Sequence, residues 1–400
     1  MEYRVNKEGL LFIGISTLVL FGLLIVYSSS IAVGAQQGIP SYNFVRQSIY
    51  AGIGYVFMVV LIFVDYHRWL KPRSVILLTV LIAICLVLVF KFDAIKGAQR
   101  HLRFGAWMAF QPSEMAKLII LFYLGSYLQK NQSEIPQPGF FPRSCLIYVG
   151  FFAVLIGIEP DLGQALCIII IAALLLFIAG LDRKFIWIAA FSAVPAFYFF
   201  VWEVPFRRAR VLSWLAALWD PRNGDYHTLQ SAIAIGRGGI FGVGFGESLQ
   251  KFFFLPEAAT DFIYAVIGEE LGFMGAILVA AFFLGYLYLG VKMSMKAPDA
   301  SGFYLGLGIT FLVTLEAFIN ISSTLAIIPT KGLALPFISR GGSSLLATLM
   351  ATGILLNIAS QRTMQSDSKD LSFSFTLSAP NDAKKSNQLQ VTSCRLQVAD

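Results

Sequence analysis

Charged side chains are scarce in this chain, and several of them stand where a lipid bilayer would exclude them. An ionisable group inside or at the rim of a membrane span costs on the order of 2.5 to 3.5 kcal/mol on insertion scales, so each is a candidate for chemistry. Asp261 opens an apolar run, a position from which a carboxylate can serve as a general base at the membrane surface. Advancing about 100° per residue, Asp261, Ala265, Gly268 and Gly272 form one stripe of small side chains headed by a carboxylate, suited to a lipid tail below and polar chemistry above. Lys331 and Arg340 lie in a segment, 329–344, with two prolines, three glycines and four hydroxyls, Ser343 among them, which reads as a re-entrant pocket. With Arg100, Arg207 and Arg210 they offer donors that match pyrophosphate oxygens. Glu114 and Lys117, three apart after Pro112, can pair, and Asp161 can cap the helix that follows Pro160. For both sites a structural role, an ion pair between helices or a plain helix cap, is the reading to beat. Glu269 and Glu270 lie off the stripe and read as interhelical hydrogen-bond or ion partners.

These residues need elements to hold them, and composition says which. The chain has 400 residues, 57% hydrophobic and 13% charged, with 36 phenylalanines, and a mean hydropathy of +0.72. That is too little charge for a soluble domain, which carries roughly 25%. An all-α integral membrane protein follows. At about 20 residues per span, ten segments emerge: 10–33, 47–64, 74–90, 112–128, 144–158, 162–180, 185–202, 262–291, 303–325 and 342–360. The first is a signal anchor rather than a cleaved signal. Basic residues at 67–73 and 183–184 put those turns, Arg4, Lys7 and both termini on the cytoplasmic side.

Residues 1–362 form one membrane domain with a long extracytoplasmic loop at 203–260, and 363–400 read as a disordered tail. The basic residues Lys96, Arg100, Arg103, Arg207, Arg208, Arg210, Arg222 and Arg237 run against the positive-inside bias and ask for a functional explanation. The net charge of +7 fits membrane lipids or a phosphorylated lipid, and no basic, aromatic-interleaved patch supports nucleic acid. Nucleotide motifs are absent, and the glycines of 236–246 read as shaping a mobile loop. Cys85, Cys145, Cys167 and Cys394 have neither zinc nor disulfide-framework spacing.

Five motifs carry a resemblance: GAQRH at 97–101, QPSEMAKL at 111–118, EPDLGQA at 159–165, TDFIYAVIGEELGF at 260–273 and PTKGLALPFISRGGSS at 329–344. The chain resembles the FtsW/RodA/SpoVE (SEDS) proteins over about residues 10–362, its GEELG and PTKGL segments pointing to the division branch. The resemblance implies a ten-helix glycan polymerase joining lipid II units at the outer face of the bacterial cytoplasmic membrane. It also implies Asp261 as the essential carboxylate, Glu114, Lys117 and Asp161 as family residues, and a class B penicillin-binding transpeptidase with other division proteins as partners. Two departures stand out: His101 where the family usually has Trp, and Arg340 where it usually has Tyr.

On this reading Asp261 deprotonates the 4-hydroxyl of an acceptor GlcNAc as it attacks C1 of a donor MurNAc. Arg100, Arg207, Arg210, Lys331 and Arg340 stabilise the departing undecaprenyl pyrophosphate, with Ser343 in the same pocket and Glu114, Lys117, Asp161 and Glu269 as a supporting ion-pair network. A divalent cation, Mg or Mn, is compatible with a pyrophosphate leaving group, though no sequence feature requires one. Two alternatives stay open: a lipid II flippase, whose polar path would use Glu114, Lys117, Asp161, Glu269, Glu270 and Glu316, and a non-catalytic scaffold for the division machinery.

Overall fold

A computed structural model of the chain describes residues 7–36, 41–91, 100–104, 108–159, 161–220, 222, 224–252 and 254–377. Lys96, Pro160 and Cys394 lie outside the described residues. The described chain is almost entirely helical: α1 (Lys7–Gln36), α2 (Tyr42–Phe63), α3 (His67–Leu70), α4 (Pro72–Val89), α5 (Pro112–Lys130), α6 (Arg143–Ile158), α7 (Leu162–Ile178), α8 (Arg183–Phe197), α9 (Pro205–Trp219), α10 (Tyr226–Gly238), α11 (Ile263–Glu270), α12 (Gly272–Ser294), α13 (Ala300–Thr324) and α14 (Gly342–Leu377). A π-helical turn, Tyr198–Trp202, extends α8 beyond Pro195.

Every expected segment coincides with helix. Six helices, over Lys7–Ser30, Tyr42–Phe63, Pro72–Val89, Gly272–Ser294, Ala300–Thr324 and Gly342–Gln361, are long and apolar enough to cross a membrane, and Arg143–Ile158 and Leu162–Ile178 are shorter apolar helices. Apart from α13 and α14, their outward faces are largely exposed leucine, isoleucine, valine and phenylalanine, the surface a bilayer stabilises. α13 lies in the middle, buried along nearly its whole length. Small residues let it approach its neighbours, as where Gly306 meets Ser294 and Gly290 meets Thr310.

Three expectations change. The eighth segment is two helices, because Gly272 adopts φ +69 and breaks the chain between α11 and α12. The long loop contains α9 and α10, and two of its glycines, Gly238 and Gly242, are packed tightly against the α11 backbone. A β-carbon at Gly238 would overlap the Gly268 carbonyl, and one at Gly242 the Glu270 carbonyl. The backbone stitches the break shut: Val243 and Gly244 N–H donate to the Glu269 and Glu270 carbonyls at 3.0 and 3.1 Å, while Phe273 and Met274 N–H donate to Gly239 and Ile240 at 2.9 and 3.1 Å. These bonds satisfy the donors and acceptors that any helix break exposes. Finally, α14 runs on to Leu377, into the expected tail, because no glycine or proline interrupts the chain between Gly353 and Pro380; residues 378–400 lie outside the described residues.

Candidate functional site

The two ends of the bundle are built differently, and Asp261 marks one of them. Asp261 sits in an irregular turn just before α11, with Glu257 at φ +57. The N–H groups of Thr260, Asp261 and Phe262 converge on the Glu257 carbonyl at 3.0, 3.1 and 3.3 Å. The stripe expected below Asp261 is not an open groove. Asp261 precedes α11, Gly272 follows the break, and Gly268 packs on Ile235 of α10. His227 of α10 stacks on Phe262, with ring centroids 5.6 Å apart and planes within 7°.

The re-entrant segment after α13 meets this turn. A β-carbon on Gly332 would lie 3.3 Å from Asp261 Oδ2, so the carboxylate abuts the backbone beside Lys331. Phe337, at φ +65, turns the segment inward against α1, where Gly22 makes room; a β-carbon there would lie 2.7 Å from the Phe337 carbonyl oxygen. Strained backbone of this kind persists where surrounding structure over-determines it, as at functional sites.

The basic residues gather in two places around Asp261. Lys331 is half-buried. Burial holds its pKa below the usual lysine range, Arg207 and Arg210 push it the same way, and Asp161 opposes them. Those arginines come from α9, where Arg207 donates to the Phe200 carbonyl at 2.8 Å and Arg210 lies 4.5 Å over the Phe206 ring. Arg340 donates to Asn43 Oδ1 at 2.8 Å. Burial and the neighbouring Arg46 work against its charge, while Asp261 supports it.

Arg100 bridges the turn between α6 and α7. Its Nε donates to the Glu159 carbonyl at 3.1 Å and its guanidinium lies 3.8 Å from Asp161. Asp161 caps α7 as expected, accepting from Gln164 N–H at 3.4 Å, and also accepts from Gln111 at 3.2 Å. Ser343 joins two backbone groups just before α5. It accepts from Gln111 N–H at 2.9 Å and donates to Ala109 O at 3.1 Å. It thereby fastens the β1–β2 hairpin, in which Leu102–Phe104 pairs antiparallel with Met108–Phe110, to the start of α14.

The expected ion-pair network is two networks. Lys117 pairs with Glu114 at 2.8 Å and with Glu316 of α13, and Gln164 donates to Glu114 at 2.6 Å. Glu269 belongs elsewhere, bonded to Arg237 at 3.0 Å, to Ser248 and to Leu249 N–H at 3.1 Å. Glu270 beside it takes Lys251 at 3.1 Å and Ser28 at 2.6 Å. Both glutamates are fully buried, and together they hold residues 237–251 onto the helix break. Sequence could flag Glu316 as a charge in an apolar span, but nothing in it paired Glu316 with a lysine 199 positions away. Lys251 and Asn320 carried no signal at all. Among the described residues no group of three or more His, Cys, Asp or Glu is placed to hold a metal ion.

The opposite end is a closed polar knot. His67 lies 2.7 Å from Asp65 and 3.3 Å from Asp299, Tyr66 donates to Asp299, and Gln361 donates to Asp65 at 2.8 Å. Asn357 joins the Ile62 carbonyl and the Tyr66 N–H at 2.7 and 3.0 Å.

Comparison with known proteins agrees with this architecture. The FtsW/RodA/SpoVE family model, described as cell cycle protein, matches residues 8–364. A probable peptidoglycan glycosyltransferase FtsW of Geobacter metallireducens is 41% identical over 346 residues, 85% of this chain and 91% of that protein. Stage V sporulation protein E of Bacillus subtilis is 34% identical, over 90% of this chain and 99% of that one. A chain from a peptidoglycan synthase complex that coordinates polymerization and crosslinking superposes with a TM-score of 0.70 at 24% identity, covering 88% of this chain and 97% of that one. The rod shape determining protein RodA of Thermus thermophilus superposes with a TM-score of 0.65 at 22% identity, covering 90% and 99%. The chain described here is a member of the FtsW/RodA/SpoVE family of multi-pass membrane proteins.

Proposed function

We propose that the protein is a peptidoglycan glycosyltransferase that polymerises lipid II at the outer face of the bacterial cytoplasmic membrane, during septal wall synthesis. Its relatives named peptidoglycan glycosyltransferase support the reaction class. One observation carries the mechanism: Asp261 stands at the end of the bundle where Lys331 and Arg340 converge, with Arg207 and Arg210 within electrostatic range of Lys331. A carboxylate among cations is what glycosyl transfer from a polyprenyl diphosphate needs.

Asp261 takes the proton of the acceptor GlcNAc 4-hydroxyl as that oxygen attacks C1 of the donor MurNAc. The bond from C1 to the undecaprenyl pyrophosphate oxygen breaks, and Lys331, Arg340, Arg207, Arg210 and Arg100 neutralise the charge that develops there. Ten spans, with both termini cytoplasmic, would set the Asp261 end outward. A class B transpeptidase partner fits the coupling of polymerization and crosslinking described for a complex of the same fold.

The flippase alternative needs the Asp65 end to open, and that end is bonded shut across α2, α3, α13 and α14. It also needs ionisable groups free for a relay, whereas Lys117 is shared by two carboxylates and Glu269 and Glu270 clamp a loop. The test uses purified protein, with its transpeptidase where turnover requires it, and labelled lipid II resolved on a gel. Polymer from wild type and none from Asp261→Ala is expected. Unchanged polymer from Asp261→Ala would overturn the base assignment, and lipid translocation in vesicles without polymer would favour the flippase.

A further inference from the structure

We propose that Asn320 and Ser339 are positioning residues that hold the Asp261 turn in register with the Lys331–Arg340 segment; this rests on the reading of Asp261 as the base. Three consecutive carbonyls of that turn accept hydrogen bonds from outside it. Ala259 O takes Arg340 N–H at 2.9 Å, Thr260 O takes the Ser339 hydroxyl at 2.6 Å, and Asp261 O takes Asn320 Nδ2 at 2.9 Å. Asn320 spends its second amide proton on Leu333 O at 2.7 Å. One side-chain amide therefore joins the residue that carries the base to the segment that carries Lys331.

The rest of the wiring makes this arrangement stiff. The turn's own N–H groups already converge on Glu257 O, while carbonyls 259 and 260 take donors from the re-entrant segment and carbonyl 261 takes one from α13. Ser339 also accepts from Leu335 N–H at 2.8 Å, and its carbonyl accepts from Gln47 of α2 at 3.0 Å. Asn320 is fully buried. Its Oδ1 has no partner, so the amide's orientation is set by its two donated bonds alone, and the reversed orientation would set oxygen against two carbonyls. A base works only within hydrogen-bond reach of the proton it removes, and a misplacement of about 1 Å can cost about a hundredfold in rate.

Asn357 is a matched control. It also joins two backbone groups, Ile62 O and Tyr66 N–H, but at the opposite end of the bundle. Polymerisation kinetics on the full-length protein in lipid nanodiscs, with its transpeptidase where required, separate positioning from plain stability. Per folded molecule, Asn320→Leu is expected to lower kcat about a hundredfold with KM nearly unchanged. Ser339→Ala should lower kcat less, and Asn357→Leu should lower Tm but not kcat. Asn320→Asp can donate only one proton, and only when its carboxyl is neutral. Its kcat relative to wild type should therefore rise as pH falls, while the ratio for Asn320→Leu stays flat.

Wild-type kcat in both Asn320→Leu and Ser339→Ala, or an equal kcat loss in Asn357→Leu, overturns the proposal. If Asn320→Leu does not fold, Ser339→Ala decides. Retained polymerisation by Asp261→Asn is a separate outcome, one that removes the base reading itself.

Discussion

At the Asp65 end of the bundle Asp65, His67, Asp299 and Gln361 bond to one another side chain to side chain, whereas at the Asp261 end Asn320 and Ser339 bond to backbone carbonyls. Asp299 alone accepts from Tyr66, Ser301 and Gly302 N–H and meets His67. Elsewhere, the buried carboxyl of Glu159, beside Asp161, has no hydrogen-bond partner on either oxygen, nor does Asn43 Nδ2 or Asn320 Oδ1, though Trp69 Nε1 of α3 is unpartnered as well. Left-handed backbone at Glu257, Ala326 and Phe337 clusters at the Asp261 end. A native fold keeps such costs where a reacting partner will use them. On the proposed mechanism, the Asp65 end supplies stability and the Asp261 end gives some of it up for chemistry.

The sharpest way to break that comparison is to remove one aspartate from each end. Asp261→Ala should cost two to four orders of magnitude in polymerisation, about the contribution of a general base, with little change in Tm. Asp299→Ala should do the reverse, losing roughly 1–3 kcal/mol because buried donors lose their acceptor, while turnover per folded molecule survives. Polymer synthesis read beside thermal unfolding checks both, and matched losses in the two variants would erase the distinction.

Between the ends, Lys117→Met should destabilise by about 3–5 kcal/mol, since it strands Glu114 and Glu316 in the core. Adding Glu114→Gln and Glu316→Gln should restore most of that, whereas additive losses in the triple variant would argue against a shared ion pair. Gly242→Ala is expected to cost about 1–3 kcal/mol, as an overpacked site does, because Gly242 has φ +83 and its β-carbon would meet the Glu270 carbonyl. The damage should appear as protease cleavage confined to residues 239–252; uniform cleavage would mean the segment is not a separate clamp.

The smallest effect is a pair of opposite pH slopes. Burial, helped by Asp161 and opposed by Arg100, pushes the Glu159 carboxyl up from 4.5 to about 8. The native state then holds its proton more tightly than the unfolded chain, so stability falls as pH rises between those values. Burial works against the Asp65 charge too, but hydrogen bonds from Gln361 and His67 outweigh it and hold Asp65 near 2, below its ordinary 3.8. That contribution is complete above 3.8 and fades as pH falls toward 2. Melting curves should show Glu159→Gln flattening the alkaline slope and Asp65→Asn flattening the acid one. An Asp65→Asn variant that changed the alkaline slope would reverse the assignment.

Much of this was legible in the residues. Hydropathy located helix in all ten segments, Pro112 and Asp161 marked helix starts, and spacing paired Glu114 with Lys117. These are local properties, set within a few residues by burial, capping and helical period. The break at Gly272 was less readable, because a glycine in an apolar run looks the same whether it kinks a helix or packs within one.

Sequence by itself determined that the chain is a bundle of apolar helices with rare charges, because lipid admits only helices or closed barrels and continuous apolar runs of about 20 residues suit helices. Tertiary structure alone decided which charges meet. Lys117 finds Glu316, the glutamates of the GEELG segment divide between Arg237 and Lys251, and Asn320 reaches both Asp261 and Leu333. Those partners lie 13 to 199 residues apart, and the packing of helices around α13, with its close contacts at small residues, brings them within hydrogen-bond distance.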